Sequence, residues 1–328
     1  MKLEWIYDIA TIETVRQQLV DDPHGTRLSA GYEADLLHGA LVAFNASAEA
    51  VGMVCLYKGG QMKYHNKRVW SLGNYEWLPD ESPSQLFDLA SAEAKKHGAE
   101  ALVGPLNGST WKSYRFRDQS QEEVPLFAGE KIHEPQYNEQ WRSYFQQHFR
   151  YYSALDTAFN TSAILSDQEI ATIQERYELR NINLNEWEAQ LDALYDFNQR
   201  SFRTNFLFTE ISRKSFHDQY NQVKPIIDPR FTLLAYDNDQ LVGFIFAYPD
   251  FSMTESKRAI LKTVARDPDP KHARLGTWLV YSLNQVLKAQ GFQEVIHAFI
   301  YAEGTSTKHT QKMGISTYAT YSLYLNEL

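Results

Sequence analysis

Cysteine is nearly absent. Cys55 is the only one in 328 residues, which excludes an intrachain disulfide and a cysteine-built metal cluster and fits a reducing compartment. It sits in the apolar run Val51 to Tyr57, where a small buried hydrophobe is the expected role and a nucleophile is not. No apolar run approaches the ~20 residues of a membrane span. The opening MKLEWIYDIA lacks the charged-then-apolar layout of a secretion signal, so a cytoplasmic setting is expected. Positive charge is in deficit, with 32 Lys and Arg against 41 Asp and Glu and a net charge of −9. That balance argues against a nucleic-acid surface but leaves room for a small anionic ligand in a local pocket. No pair of His or carboxylates stands at metal-ligand spacing, so no metal is expected.

Apolar material is plentiful. Hydrophobic residues make up 43% and aromatics 14%, enough for two packed cores at a length beyond one typical core, and two domains are expected. The stretch AILKTVARDPDPKHARLGTWLVYSLNQVLKAQGFQEVIHAFIY, Ala259 to Tyr301, reads as strand, irregular loop, amphipathic helix, Gly break and strand. Two prolines between Asp267 and Pro270 end the first strand. Leu279, Leu283, Val286 and Leu287 recur at three- and four-residue steps and mark one buried helix face, and Gly291 ends that helix. Val295 to Ile300 is a nearly continuous apolar strand, as expected for one covered on both sides. The backbone N–H groups of residues 271 to 277 should point out of the helix N-terminus, where they can hold an anion such as a pyrophosphate.

The first half carries the same order. ALVAFNASAEAVGMVCLY (40–57) reads as a hairpin with its turn at Asn45 to Glu49, Val69 to Trp77 as a strand, and Ser82-Pro83 as the start of a helix that runs to His97 before Gly98. Ala101 to Val103 is the next strand. In the second half, FTLLAYDNDQLVGFIFAY (231–248) is again a hairpin, turning at Asp237 to Gln240. The order hairpin, strand, helix, strand at matched spacing indicates an internal duplication with mixed α/β (α+β) sheets. Arg117 to Glu123 reads as a loop. The aromatic-rich Pro125 to Tyr152 should pack on the first half, which places the boundary near residue 160: 1–160 and 161–328. Ser166 to Glu169 looks like a capped helix start and Trp187 to Phe202 a second helix.

LLAYDNDQLVGFIFAYPD, ARLGTWLV and HAFIYAEGTSTKHTQKMGISTYATYSLYL resemble the GNAT acetyltransferase superfamily. EWLPDESPSQLFDLASAEAKKHGAEALVGPLNGSTWKSYRF is similar to the degenerate N-terminal unit of bacterial tandem-GNAT proteins. The resemblance implies two tandem GNAT-like mixed-sheet domains, acetyl-CoA or another acyl-CoA as donor, and a cleft for an acceptor. It implies that Val264, Ala265 and Arg266 pair with the pantetheine arm. Lys271, Arg274, Leu275, Gly276 and Thr277 would then form the pyrophosphate loop, with Arg274 replacing the first Gly of the family pattern. Ser306 fits the position two residues past Gly304, which replaces the family's Asn. The family's acid Tyr falls at Thr310 or Gln311. In the first half, Asp80 and Glu81 at the matching junction repel a pyrophosphate, so that unit is expected to be a structural or substrate-side partner.

The candidate catalytic residues are His297, Tyr321 and Asp250, each also readable as a packed or turn residue, while His272 and His309 are expected to be exposed. For substrate binding, Asn107, Trp111, Tyr114 and Arg115 in the Gly104 to Arg115 loop offer donors, a flat apolar face and a cation together; Asn205 and Phe206 would close the cleft from the other half. The leading expectation is an acyl-CoA-dependent N-acyltransferase acting on a small amine or amino-acid-like acceptor, with neither nucleic acid nor membrane as partner and a homodimer left open. A non-catalytic binding protein that keeps the fold is the alternative. A Fem-type aminoacyl transferase is a third, disfavoured by the acidic balance and the lack of a basic stripe.

Overall fold

The structure, a computed structural model, describes residues 1–119, 124–160, 165–253 and 257–328. In the first half β1 (Lys2–Ile6), α1 (Ile9–Leu19), β2 (Leu37–Phe44), β3 (Ala50–Tyr57), β4 (Lys63–Tyr64) and β5 (Lys67–Trp77) precede α2 (Ser84–Lys96) and β6 (Ala101–Gly104). β7 (Phe116–Arg117), α3 (Pro135–Tyr144) and β8 (Gln147–Asp156) complete it. The second half runs α4 (Asp167–Arg176), β9 (Glu178–Asn181), α5 (Trp187–Phe202), α6 (Arg213–Val223), β10 (Thr232–Asp237) and β11 (Gln240–Pro249). It continues with β12 (Arg258–Arg266), α7 (Leu275–Ala289), β13 (Glu294–Tyr301), α8 (Thr305–Met313) and β14 (Ser316–Glu327). Among the described residues no helix is long and apolar enough to cross a membrane.

Local chemistry sets these boundaries. The β10–β11 turn places Asn238 and Asp239 at φ +48 and +64, the left-handed pair that a two-residue hairpin needs and that Asn and Asp tolerate. α4 begins with a full capping box between Ser166 and Glu169. Gly291, at φ +80, ends α7. α7 buries Leu275, Leu279, Leu283 and Leu287 against β11 to β13, and α2 buries Leu86, Phe87, Ala90 and Ala94 with Tyr137 and Trp141 of α3. Cys55 is fully buried in β3, and burial pushes its thiol well above the usual range, as its packing role requires.

The strands form one sheet in the order β1-β2-β3-β5-β6-β14-β8-β13-β12-β11-β10-β9, with β4 on β5 and β7 on β14. β5–β6 and β12–β13 are parallel. The halves exchange their last strands: β14 pairs with β6, from Tyr324 opposite Gly104 to Glu327 opposite Ala101, while β8 pairs with β13. β8 and β14 then pair with each other from Leu155–Ser316 to Gln147–Leu325. Aromatic residues 125–152 are thus divided. Tyr137 and Trp141 pack on the first half as expected, but β8 completes the sheet of the second. The boundary near residue 160 stays a proposal drawn in chain order; residues 161–164 beside it, and 120–123 of the polar loop, lie outside the described residues.

Candidate active site

β12 and β13 pair only from Arg258–Glu294 to Leu261–His297. Past that point β13 bulges between His297 and Ile300, with Phe299 at φ +61, and follows β8. Lys262 sits at a bulge in the pairing of β12 with β11, and from Thr263 to Arg266 β12 keeps β11 as its partner. The strands therefore splay, and the gap opens into a cavity of about 1420 Å³ lined by both halves.

One end of the cavity is the start of α7. The N–H of Lys271 donates to Asp269 Oδ1 (2.9 Å), that of His272 to Asp269 O (3.0 Å) and that of Ala273 to Pro270 O (3.0 Å). The first helical bond is Trp278 N–H to Arg274 O (3.1 Å). The expected anion-holding set 271–277 thus narrows to 275–277, whose N–H groups precede that bond. Gly276 and Thr277 line the cavity, and a Cβ on Gly276 would meet nothing within 4 Å, so the approach is bare. Three side chains expected here face elsewhere. Leu275 is buried in the core, Lys271 lies 3.4 Å from Asp269, and Arg274 turns to Glu169 at 2.8 Å, which leaves the bare glycine clear. Arg266, Val264, Ala265 and Ser306 do line the cavity, as do Gly304 and His309. His272, expected to be exposed, is buried and bonded to the Tyr177 hydroxyl at 2.8 Å, because the turn before α7 packs on Tyr177.

The opposite wall comes from the first half. Trp111, Tyr114 and Arg115 line the cavity with Asn205 and Phe206. Trp111 also joins the halves, its indole N–H donating to Thr209 O at 2.8 Å. Phe206 stacks on Tyr301 at 4.8 Å between centroids and meets Phe149 at a tilt, 4.6 Å away. Asn107 is a correction. It is fully buried and absent from the cavity wall. Its Oδ1 accepts the Asn74 N–H (2.8 Å), and its amide donates to the carbonyls of Leu28 (2.9 Å), Ala30 and Gly31 (3.2 Å each). Every polar group it has is spent on backbone, so it pins the loop.

The catalytic candidates separate in the same way. Asp250 is buried away from the cavity and paired with Arg258 at 2.7 Å. Burial raises its pKa, but hydrogen bonds from Ser252, Ala128 N–H and Arg258 outweigh this and hold it below the usual carboxylate value, so it clasps segment 125–130 to the hairpin. His297 reaches the cavity wall but is 6% exposed, with Nε2 3.9 Å from Asp156. Burial drives its pKa down despite that carboxylate, which makes it a weak base. Tyr321 lines the cavity and donates a short hydrogen bond to Glu130, with Ser153 Oγ at 3.1 Å; burial and Glu130 keep the phenol protonated. Thr310, at the expected acid position, meets the Tyr152 hydroxyl at 2.7 Å, so the exchanged strand β8 brings a phenol beside that place.

Sequence reading missed Lys262. It is the first β12 residue past the pairing with β13, it points into the cavity, and its Nζ lies 4.5 Å from the Phe299 ring centroid. Lys262 is itself open to solvent in the cavity, but the surrounding walls limit its hydration, and this desolvation, followed by the charges of Arg115 and Lys131, lowers its pKa to about 7. The available signal was a lone Lys inside the apolar run AILKTVA. Away from the cavity, His38, Glu93 and His97 bring three donor atoms within 4.8 Å of one another. This corrects the spacing reading, since Glu93 and His97 are one turn apart on α2 and its C-cap, and His38 reaches them from β2.

Residues 191–314 match the profile of the acetyltransferase (GNAT) family. This stretch belongs to the GNAT family. No curated protein sequence matches the chain. The whole chain resembles solved GNAT structures: a GCN5-related N-acetyltransferase of Anabaena variabilis has TM-score 0.58 and 11% identity over 99% of this chain and 73% of that one. A conserved protein of Enterococcus faecalis has TM-score 0.59 and 9% identity over 99% and 72%. The glucosamine N-acetyltransferase region of a fungal multi-domain β-N-acetylglucosaminidase has TM-score 0.53 and 14% identity; the likeness covers 99% of this chain and 38% of that one. At such identities the likeness speaks to fold. Two GNAT-type units are thus joined in one mixed sheet.

Proposed function

We propose that the protein is an acyl-CoA-dependent N-acyltransferase, with acetyl-CoA as donor and a small amine or amino-acid-like molecule as acceptor. The observation that carries this reading is the continuous opening from the bare Gly276 end of α7, along the unpaired edge of β12, to Lys262. The fit to CoA rests on that cradle: N–H groups and a helix dipole at one end for phosphate, and open strand backbone at Val264 and Ala265 for an amide-bearing arm.

Acyl-CoA supplies an activated thioester. The chain's own part is to place an amine against it and move one proton. An ammonium must lose its proton before it can attack, and Lys262 Nζ, with a pKa of about 7, is neutral in about half of the molecules at neutral pH, the condition in which a base works best. Neither His297 nor Asp250 meets that condition. Tyr321 and the aromatic walls from the first half position the acceptor and exclude water.

Thiol release from acetyl-CoA over a panel of amines tests the reading. Amine-dependent release is expected. Bound CoA without release for any amine would make the protein a binding module.

A further inference from the structure

The cavity carries a cluster of cations with no carboxylate salt-bridge partner among the described residues. Arg115 is 7% exposed, and its Nη1 has no hydrogen-bond partner among the described residues. Its guanidinium is held among aromatic rings, 3.8 Å from the centroid of Tyr114, 4.2 Å from Phe299 and 4.8 Å from Tyr151. Lys262 approaches the same Phe299 ring at 4.5 Å, so two cations share one ring beside the point where β12 and β13 part. Lys131, which also lines the cavity, gives its ammonium to the carbonyl of Gly25 at 2.7 Å. Glu130, adjacent in the chain, is spent on Arg117 (3.3 Å), the Phe127 N–H (3.0 Å) and the Tyr321 hydroxyl. Glu303 is the one carboxylate on the cavity wall among the described residues, and it accepts from the Tyr301 hydroxyl at 3.2 Å.

Buried cations are ordinarily paired. Ring faces offset part of the cost, but they leave Nη1 without an acceptor, and a guanidinium fixed in this way is shaped for a carboxylate. Arg115 and Lys131 come from the first half and Lys262 from β12 of the second, and all three line one cavity in a chain whose net charge is −9. We propose that Arg115, with Lys131 beside it, forms a subsite for a substrate carboxylate next to the reacting thioester. This deepens the acyltransferase reading and rests on it. The carboxylate belongs either to the acceptor, which is then an amino acid or a related amino acid derivative, or to the far end of a dicarboxylic acyl group; both present the same chemistry to Arg115.

The experiment compares the full-length protein with Arg115→Gln and with Arg115→Lys, which keeps the charge and loses the fork, after circular dichroism has shown each to be folded. Acetyl-CoA affinity is measured first by calorimetry and should be equal in all three. kcat/KM is then measured for L-amino acids beside the amines that lack their carboxylate, and for succinyl-CoA beside acetyl-CoA. A preference of roughly tenfold or more for the carboxylated member of either pair, erased by Arg115→Gln and partly kept by Arg115→Lys, supports the subsite, and the pair that shows it locates the carboxylate. No preference in the native protein, or one that survives Arg115→Gln, overturns it. If acyl-CoA does not bind at all, the acyltransferase reading fails, and calorimetry with amino acids alone still decides the subsite. Heat lost in Arg115→Gln keeps it; no heat with the native protein removes it.

Discussion

Each half of the chain has a parallel strand pair followed by a helix, and each pair parts after a few residues, yet the two gaps have opposite fates. In the first half β5 and β6 pair from Val69–Ala101 to Ser71–Val103. The space beyond is then filled by the chain itself. Leu106 N–H bonds Leu72 O (2.7 Å), Asn107 Oδ1 takes the Asn74 N–H (2.8 Å), and the Tyr137 hydroxyl takes the Trp77 N–H (2.9 Å). Gly73 allows this close approach, since a Cβ there would lie 2.5 Å from Asn107 Oδ1. In the second half the same space is the open cavity, and the helix that follows starts with a bare glycine. The two units thus differ, a filled gap in one and an open cavity in the other, through a few residues: Asn107 and Tyr137 as plugs, and Asp80 and Glu81 where the other unit leads to Gly276.

The largest effect that could break this comparison is on donor binding. Gly276→Asp puts bulk and negative charge where N–H groups would hold phosphate, and acetyl-CoA affinity should fall by about a hundredfold or more. The fold should survive, because the added Cβ meets nothing within 4 Å. The matched change Ser84→Asp, in the first turn of α2, should leave affinity unaltered. Lys262→Gln should lower kcat by about 10²-fold. In the native protein the rate should rise with pH around an inflection near 7. The groups lowering the Lys262 pKa are Arg115 and Lys131, so Arg115→Gln should move that inflection to higher pH.

Asn107→Ala should cost about 2–4 kcal/mol in urea unfolding, because it strands the Asn74 N–H and the carbonyls of Leu28 and Ala30, and it should leave acetyl-CoA affinity unchanged. The smallest effect is on pH-dependent stability. Lys262 has a folded pKa below its ordinary 10.5, so the unfolded chain binds more protons between pH 7 and 10.5, and its unfavourable contribution grows as pH falls through that window. Lys262→Met should therefore raise the urea midpoint at pH 7, with a gain that shrinks toward pH 10.5.

Much of the fold was legible because it is local. α5 spans Trp187–Phe202 as the apolar period indicates, the capping box of α4 was readable in Ser166 and Glu169, and the hairpins turn at Asn45 and Asn238. The exchange of β8 and β14 was not legible, since alternation along a strand says which face is buried and nothing about which strand lies beside it. The loop and glycine at the start of α7, the proposed donor end, were readable from spacing, but which side chains face the cavity there was not: Lys271 and Arg274 are paired with Asp269 and Glu169. Asn107 looked like a ligand group because a polar residue beside glycine reads the same whether it faces a cavity or its own backbone. Lys262 was passed over as an ordinary strand residue, because only the splay of β12 from β13 gives it a cavity to point into and two cationic neighbours.

Calorimetric titration of acetyl-CoA into the native protein, Gly276→Asp and Ser84→Asp tests the difference between the two gaps most directly. One molecule bound per chain, lost in Gly276→Asp and kept in Ser84→Asp, is the expected result. Two molecules per chain, no heat with the native protein, or affinity retained by Gly276→Asp would contradict it.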